Sequence, residues 1–70
     1  MDPATINDLL ARRPFQPFRV KFANQETADI FDPALVVVMR REIFIADPSR
    51  DRFRIHWLMH VVGVDTLQAT

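Results

Sequence analysis

The stretch Arg12-Arg13-Pro14-Phe15-Gln16-Pro17-Phe18-Arg19-Val20-Lys21-Phe22 decides the fold class. Its first two residues close a short amphipathic helix. Pro14 disfavours helical geometry at Arg13 and ends that element. Phe18, Val20 and Phe22 then alternate with Arg19, Lys21 and Ala23, the period-2 pattern of a half-buried strand. A helix, a stiff proline joint and a strand in this order predict one N-terminal helix followed by a run of short strands.

Upstream, Asp2 fits the N-cap and Pro3 the first helical position. Thr5 with Asp8 is an alternative cap pair. Ile6, Leu9 and Leu10 make one apolar stripe, and Arg12 and Arg13 complement the negative end of the helix dipole. The helix is expected over about 3–12. It is too short to stand alone and must dock on an apolar surface.

Downstream, strands are expected over about 18–23, 27–31, 35–40, 43–46, 52–57 and 61–67. Asn24-Gln25-Glu26 supplies a tight turn and Asp32-Pro33 punctuates the second strand. Leu35-Val36-Val37-Val38-Met39 is β-branched and apolar on both faces, which reads as a central strand covered on both sides. It is expected to form a hairpin with Ile43 to Ala46. Phe53, Ile55 and Trp57 share one face of the fifth strand, with Arg52, Arg54 and His56 on the other. Leu58-Met59-His60 breaks the alternation and reads as a single helical turn. Gly63 inside the last strand signals a bulge or a close backbone approach, and Gln68-Ala69-Thr70 should fray.

These elements predict a mainly β (α+β) fold in one domain over 1–70. The architecture is an N-terminal helix followed by a five- or six-stranded antiparallel, strongly bent sheet or a small SH3/Sm-like barrel. At 70 residues the domain is near the lower limit of independent stability, and burial against another copy of the chain would help it. The 49% apolar content, with six Phe and one Trp, argues for a folded chain. Without cysteine there is no disulfide and no Cys-based zinc site.

Nine basic and nine acidic residues cancel, which does not favour RNA, since phosphate neutralisation dominates nucleic-acid affinity. The N-terminus lacks a basic segment followed by an apolar one, so no secretory signal is read, and no apolar run approaches a membrane span. The expectation is a cytoplasmic protein that does not enter a membrane.

The stretch Arg13 to Val20, Asp32-Pro33 and Leu58-Met59-His60-Val61 together resemble a group of short uncharacterised bacterial proteins with an RPF-x-PF-R opening. That resemblance covers nearly the whole chain and implies a complete protein, with no activity attached. The order of elements is also similar to that of Sm-like proteins, including the bacterial RNA chaperone of that fold. This implies ring formation through edge strands and RNA binding at the ring. Asn24-Gln25 stands where those proteins carry a glycine, and His56-Trp57-Leu58-Met59-His60 does not reproduce their motif before the last strand. No RNA-binding residue is therefore carried over.

His56 and His60 are four apart but straddle a strand end, with no third ligand nearby, so they read as an incidental pair. Nothing in the sequence places two of Asp29, Asp32, Asp47 and Asp51 within reach of each other for acid–base chemistry, and Asp32 and Asp47, each before a proline, serve turns better. Ser49, Thr5, Thr27 and Thr66 have no identifiable base, and one glycine cannot build a phosphate loop. No catalytic residue, metal site or cofactor is implied.

The candidate binding residues are Arg19, Lys21, Arg52, Arg54 and His56, on the faces of two strands opposite their Phe residues. Clustered, they would bind RNA, an acidic peptide or an anion. Unclustered, they form a solvated face partly paired with Asp29 and Asp51. Phe15, Phe18, Phe22, Phe31, Phe53 and Trp57 read as core. Phe44 is the exception, because it points away from Ile43 and Ile45 and needs a cover. That cover is the helix or a second subunit. The sequence therefore points to a small non-enzymatic binding or protein-interaction module that self-associates through apolar strand edges or faces, with a further protein partner open. The alternative is an Sm-like oligomeric RNA-binding protein.

Overall fold

The first turn forms around the residues best suited to it. In the computed structural model, which describes residues 1–67, helix α1 spans Pro3–Ala11. The Asp2 carboxylate caps it by accepting a hydrogen bond from the Ala4 amide at 2.9 Å. Thr5 is not the cap; its amide donates to the Asp2 carbonyl at 3.1 Å. At the other end the Arg13 guanidinium donates to the carbonyls of Leu10 and Arg12 at 3.0 and 2.7 Å, satisfying acceptors the final turn leaves open. Ile6 is fully buried, and Leu9 and Leu10 pack against the same core.

Six strands follow: β1 (Phe18–Phe22), β2 (Thr27–Ile30), β3 (Val36–Val38), β4 (Glu42–Asp47), β5 (Arg52–Trp57) and β6 (Val61–Thr66). They make two three-stranded antiparallel sheets, in the orders β2-β1-β6 and β3-β4-β5. The expected mainly β class with one N-terminal helix therefore holds. The hairpin of β3 with β4 also forms, pairing Val36 with Ile45 and Val38 with Ile43. The single helical turn read at Leu58–His60 is present as a 3-10 turn, joined by others at Pro33–Leu35 and Pro48–Arg50. Residues 68–70, expected to fray, lie outside the described residues.

The turns explain the registers. Between β1 and β2 the Asn24 side chain accepts from the Glu26 amide at 3.0 Å, while Gln25 takes the left-handed φ of 70°. Asp51 adopts φ 54° ahead of β5, a conformation Asp tolerates better than most residues. The β1–β6 register shifts between Lys21 and Phe22, which leaves Val62 as the extra residue of a bulge. Gly63 sits beside that bulge for a steric reason: a Cβ there would lie 3.2 Å from Cε of Lys21.

The inner faces of the two sheets share one core. Phe18, Val20, Phe22, Ala28 and Ile30 come from the first sheet and Val36, Ile43 and Ile45 from the second. Ile6, Leu58 and Val61 close it. Two sequence expectations change here. The valine run is not a central strand: β3 has only three residues and lies at a sheet edge, and Val37 faces outward. The central position belongs to β4, whose Ile43 and Ile45 supply the inward face. Phe31 is exposed rather than part of the core, because β2 ends at Ile30 and the Asp32-capped turn carries Phe31 outward. No described helix is long and apolar enough to cross a membrane.

Replacing Gln25 by Gly is expected to stabilise the domain by up to about 1 kcal/mol, because a left-handed residue with a Cβ is disfavoured there by roughly that amount. Ile6→Ala, which empties the contact between helix and sheets, is expected to lose about 2–5 kcal/mol. Urea unfolding at one fixed protein concentration checks both.

Candidate functional site

The five basic candidates divide by sheet. Arg19 and Lys21 lie on the outer face of the first sheet. Arg19 stands opposite Asp29 across the β1–β2 ladder and forks onto its carboxylate, at 2.7 Å from Nε and 3.2 Å from Nη2. Lys21 runs over Gly63 to Asp65, 3.1 Å away. Arg54 and His56 project from β5 towards the first sheet. The Arg54 guanidinium donates to the Thr27 carbonyl at 3.0 Å and lies 3.7 Å from the Glu26 carboxylate. The His56 ring stacks on Phe22, with centroids 3.9 Å apart and planes 19° from parallel. Arg52, at the start of β5, lines an open cleft of about 720 Å³ with Arg50, Phe31 and Phe53.

The electrostatics follow from these contacts. The Arg19 hydrogen bond holds the Asp29 carboxyl below its usual pKa, against a smaller opposing effect of burial. Asp47 is likewise lowered, first by the hydroxyl of Ser49, which donates to it at 2.6 Å. His56 moves down from the ordinary histidine value, chiefly because burial penalises its charged form and secondarily through the positive charge of Arg54; Glu26 opposes the shift. Arg19, Lys21 and Arg54 thus each carry an acidic neighbour. Their field at long range is that of ion pairs rather than of bare cations.

The assignment of faces on β5 is the main correction to the sequence reading. Arg54 and His56 face the first sheet and are half-buried, whereas Phe53, Ile55 and Trp57 face solvent with 62%, 51% and 48% of their surface exposed. They are not core. The β4–β5 register sets Ile55 beside Phe44, and the β3–β4 register sets Val37 on the other side of Phe44. One apolar row thus crosses all three strands of the second sheet. Phe44, which the sequence left in need of a cover, is stacked on Phe53 with centroids 5.2 Å apart. Near Trp57 the row continues into a shallow hollow of about 430 Å³ with Met1 and Met59, edged by Arg40 and Arg41.

With typical side-chain areas of roughly 150–250 Å², these exposures leave an apolar patch on the order of 400 Å². That is the size of the largest apolar patch on a typical monomer, a patch that is often functional. Sequence reasoning missed it because alternation defines two faces without saying which one points inward. A usable signal was present: Ile43 and Ile45 already fill the inner face of β4, so Phe44 and any aromatic neighbour on β5 had to share the outer one.

His60 shares a small hollow with His56, Phe22 and Asn24. Among the described residues, no group of three or more His, Cys, Asp or Glu side chains is placed to hold a metal ion. Comparison with known proteins finds no matching family model, no matching curated protein and no matching solved structure.

Because the folded pKa of His56 is depressed, the unfolded chain binds its proton more readily. Stability from this group is complete above the ordinary value of 6.5 and is lost as pH falls below it towards the folded pKa. The urea midpoint is expected to drop as pH falls below 6.5. His56→Phe, which keeps a stacking ring but cannot titrate, should flatten that slope.

Proposed function

We propose that this chain is a small, non-enzymatic protein-interaction module of the cytoplasm, and that it self-associates through the outer face of its second sheet. One observation carries the reading: β5 turns Phe53, Ile55 and Trp57 to solvent in a continuous row with Phe44 and Val37. A chain of 70 residues that leaves its only Trp and a Phe outside its own core has placed them where a partner chain can bury them. The charged side chains support the same reading. Arg19 pairs with Asp29 and Lys21 with Asp65 across strands, and Arg54 lies beside Glu26, so these cations are already neighboured by carboxylates while the apolar row is not covered by the chain itself.

The alternative, an Sm-like oligomeric RNA-binding protein, draws its support from the element order: a helix, six short strands and a helical turn before the last. Charge weighs against it. The net charge is zero, and Arg19, Lys21 and Arg54 have acidic neighbours. Phosphate would have to displace those carboxylates before releasing any counterions.

Light scattering on protein purified without nuclease is expected to show a mass above that of the single chain at micromolar concentration, with no excess absorbance at 260 nm. Ile55→Lys should give the monomer with an unchanged circular dichroism spectrum. A wild-type monomer at those concentrations overturns the reading. A nucleic-acid-laden oligomer would promote the alternative. Trp57, as the only Trp, gives a second readout: its emission should shift to the red as the protein is diluted.

A further inference from the structure

Resting on that self-association, we propose that two copies pair β5 against β5 about a two-fold axis at Ile55, joining their second sheets into one six-stranded sheet. Two independent features meet on this strand. The first is the exposed apolar triplet Phe53, Ile55 and Trp57. The second is the free backbone edge. β5 lies at the end of its sheet, and the Leu58 amide donates to the Arg41 carbonyl at 2.8 Å. With Glu42 opposite Trp57 in the register, alternation then directs the backbone groups of Arg52, Arg54 and His56 to β4. Those of Phe53, Ile55 and Trp57 point the other way, to the open edge.

An unpaired edge with three large apolar side chains is a template for another strand. The occupant that fits it is the same strand reversed. With the axis at Ile55, Ile55 meets Ile55 of the second copy, and Phe53 meets Trp57 of the second copy, twice. Every outer-face pair is then apolar against apolar, with the aromatic and β-branched pairings that stabilise antiparallel ladders.

The other free edge at the same end of the chain, β6, offers no such match. Its outward side carries Gly63 under the Lys21 stem and Asp65 engaged by Lys21. A slip by one residue in the β5 pairing would set Phe53 and Ile55 against Arg54 or His56 of the second copy and end the match.

Edge pairing covers the facing flanks of Phe53, Ile55 and Trp57 and takes two strand edges out of water, while Val37 and Phe44 stay on the open face of the joined sheet. The contact is therefore a small one, of the size class of transient interfaces, and its specificity rests on the backbone ladder and the matched side-chain pairs. A two-fold contact of this kind also closes on itself and stops at the dimer, whereas pairing β5 with a different edge would propagate.

The absence of cysteine makes the test clean, because one introduced thiol is the only one present. Ile55→Cys and Val37→Cys are prepared separately. Both sites are exposed, on one face of one sheet, at opposite edges. Under mild oxidation at micromolar concentration, Ile55→Cys is expected to become mostly disulfide-linked dimer and Val37→Cys to stay mostly single. Light scattering on the wild type runs in parallel. A dimeric wild type, with variants that cross-link equally at both sites or better at Val37→Cys, overturns the β5 register while leaving self-association standing. A wild-type assembly larger than a dimer overturns the two-fold closure. A wild-type monomer overturns both the register and the reading it rests on.

Discussion

The stack of His56 on Phe22 fixes the orientation on which the remaining surface depends. Phe22 ends β1 at the margin of the core, where the first sheet needs a lid. His56 supplies it at 3.9 Å, and Arg54 reaches past it to the Thr27 carbonyl and the Glu26 carboxylate. Side chains on a strand alternate strictly, so committing Arg54 and His56 inward commits Phe53, Ile55 and Trp57 outward. The exposed aromatic face is thus the geometric complement of a contact on the other side of the same strand.

The ends of β5 keep that choice from reversing. Ahead of it, the 3-10 turn Pro48–Arg50 and the left-handed Asp51 set where the strand begins, and Ser49 holds the Asp47 carboxylate. Behind it, the Leu58 amide is tied to Arg41, and Leu58 is buried in the core. A one-residue slip would have to break both ends and bring Trp57 towards inner space that Ile43, Ile45 and Leu58 already fill. Closely packed interiors do not accept such an insertion without forcing neighbours from their rotamers.

Local chemistry made much of the fold legible from the sequence. Asp2-Pro3 starts the helix, Phe18, Val20 and Phe22 set the face of β1, and the proline-punctuated loops mark most of the remaining strand ends. These signals are carried by the residues themselves. Position within a sheet is not. Val36, Val37 and Val38 read as doubly covered because their chemistry suits burial, yet an edge strand can also be apolar on both sides when its outer row belongs to a contact surface. The same limit reversed β5: apolar-inward is the ordinary preference for a strand of mixed residues. It failed here because His56 stacks on Phe22 and Arg54 reaches the Thr27 carbonyl and the Glu26 carboxylate across the gap between the sheets. The candidate basic residues are divided between the two sheets; Asp29 was legible as a partner for that face, whereas Asp65 and Glu26 come from parts of the chain that spacing does not place beside Lys21 and Arg54.

The two outer sheet faces are finished in opposite ways. On the first sheet, Arg19 with Asp29 and Lys21 with Asp65 form cross-strand pairs that satisfy each other. Such exposed pairs contribute little to stability. Their effect is to make that face unattractive to an apolar strand, since binding there would desolvate charges. On the second sheet no equivalent pairs cover Val37, Phe44 and Ile55, so that face alone gains by leaving water. The contrast gives the domain one closed side and one open side, and it links stability to association. Much of the aromatic surface that a small domain would ordinarily use to hold itself together lies outside its core. Whatever buries that surface binds the folded state only, and therefore raises the stability of the fold with its own concentration.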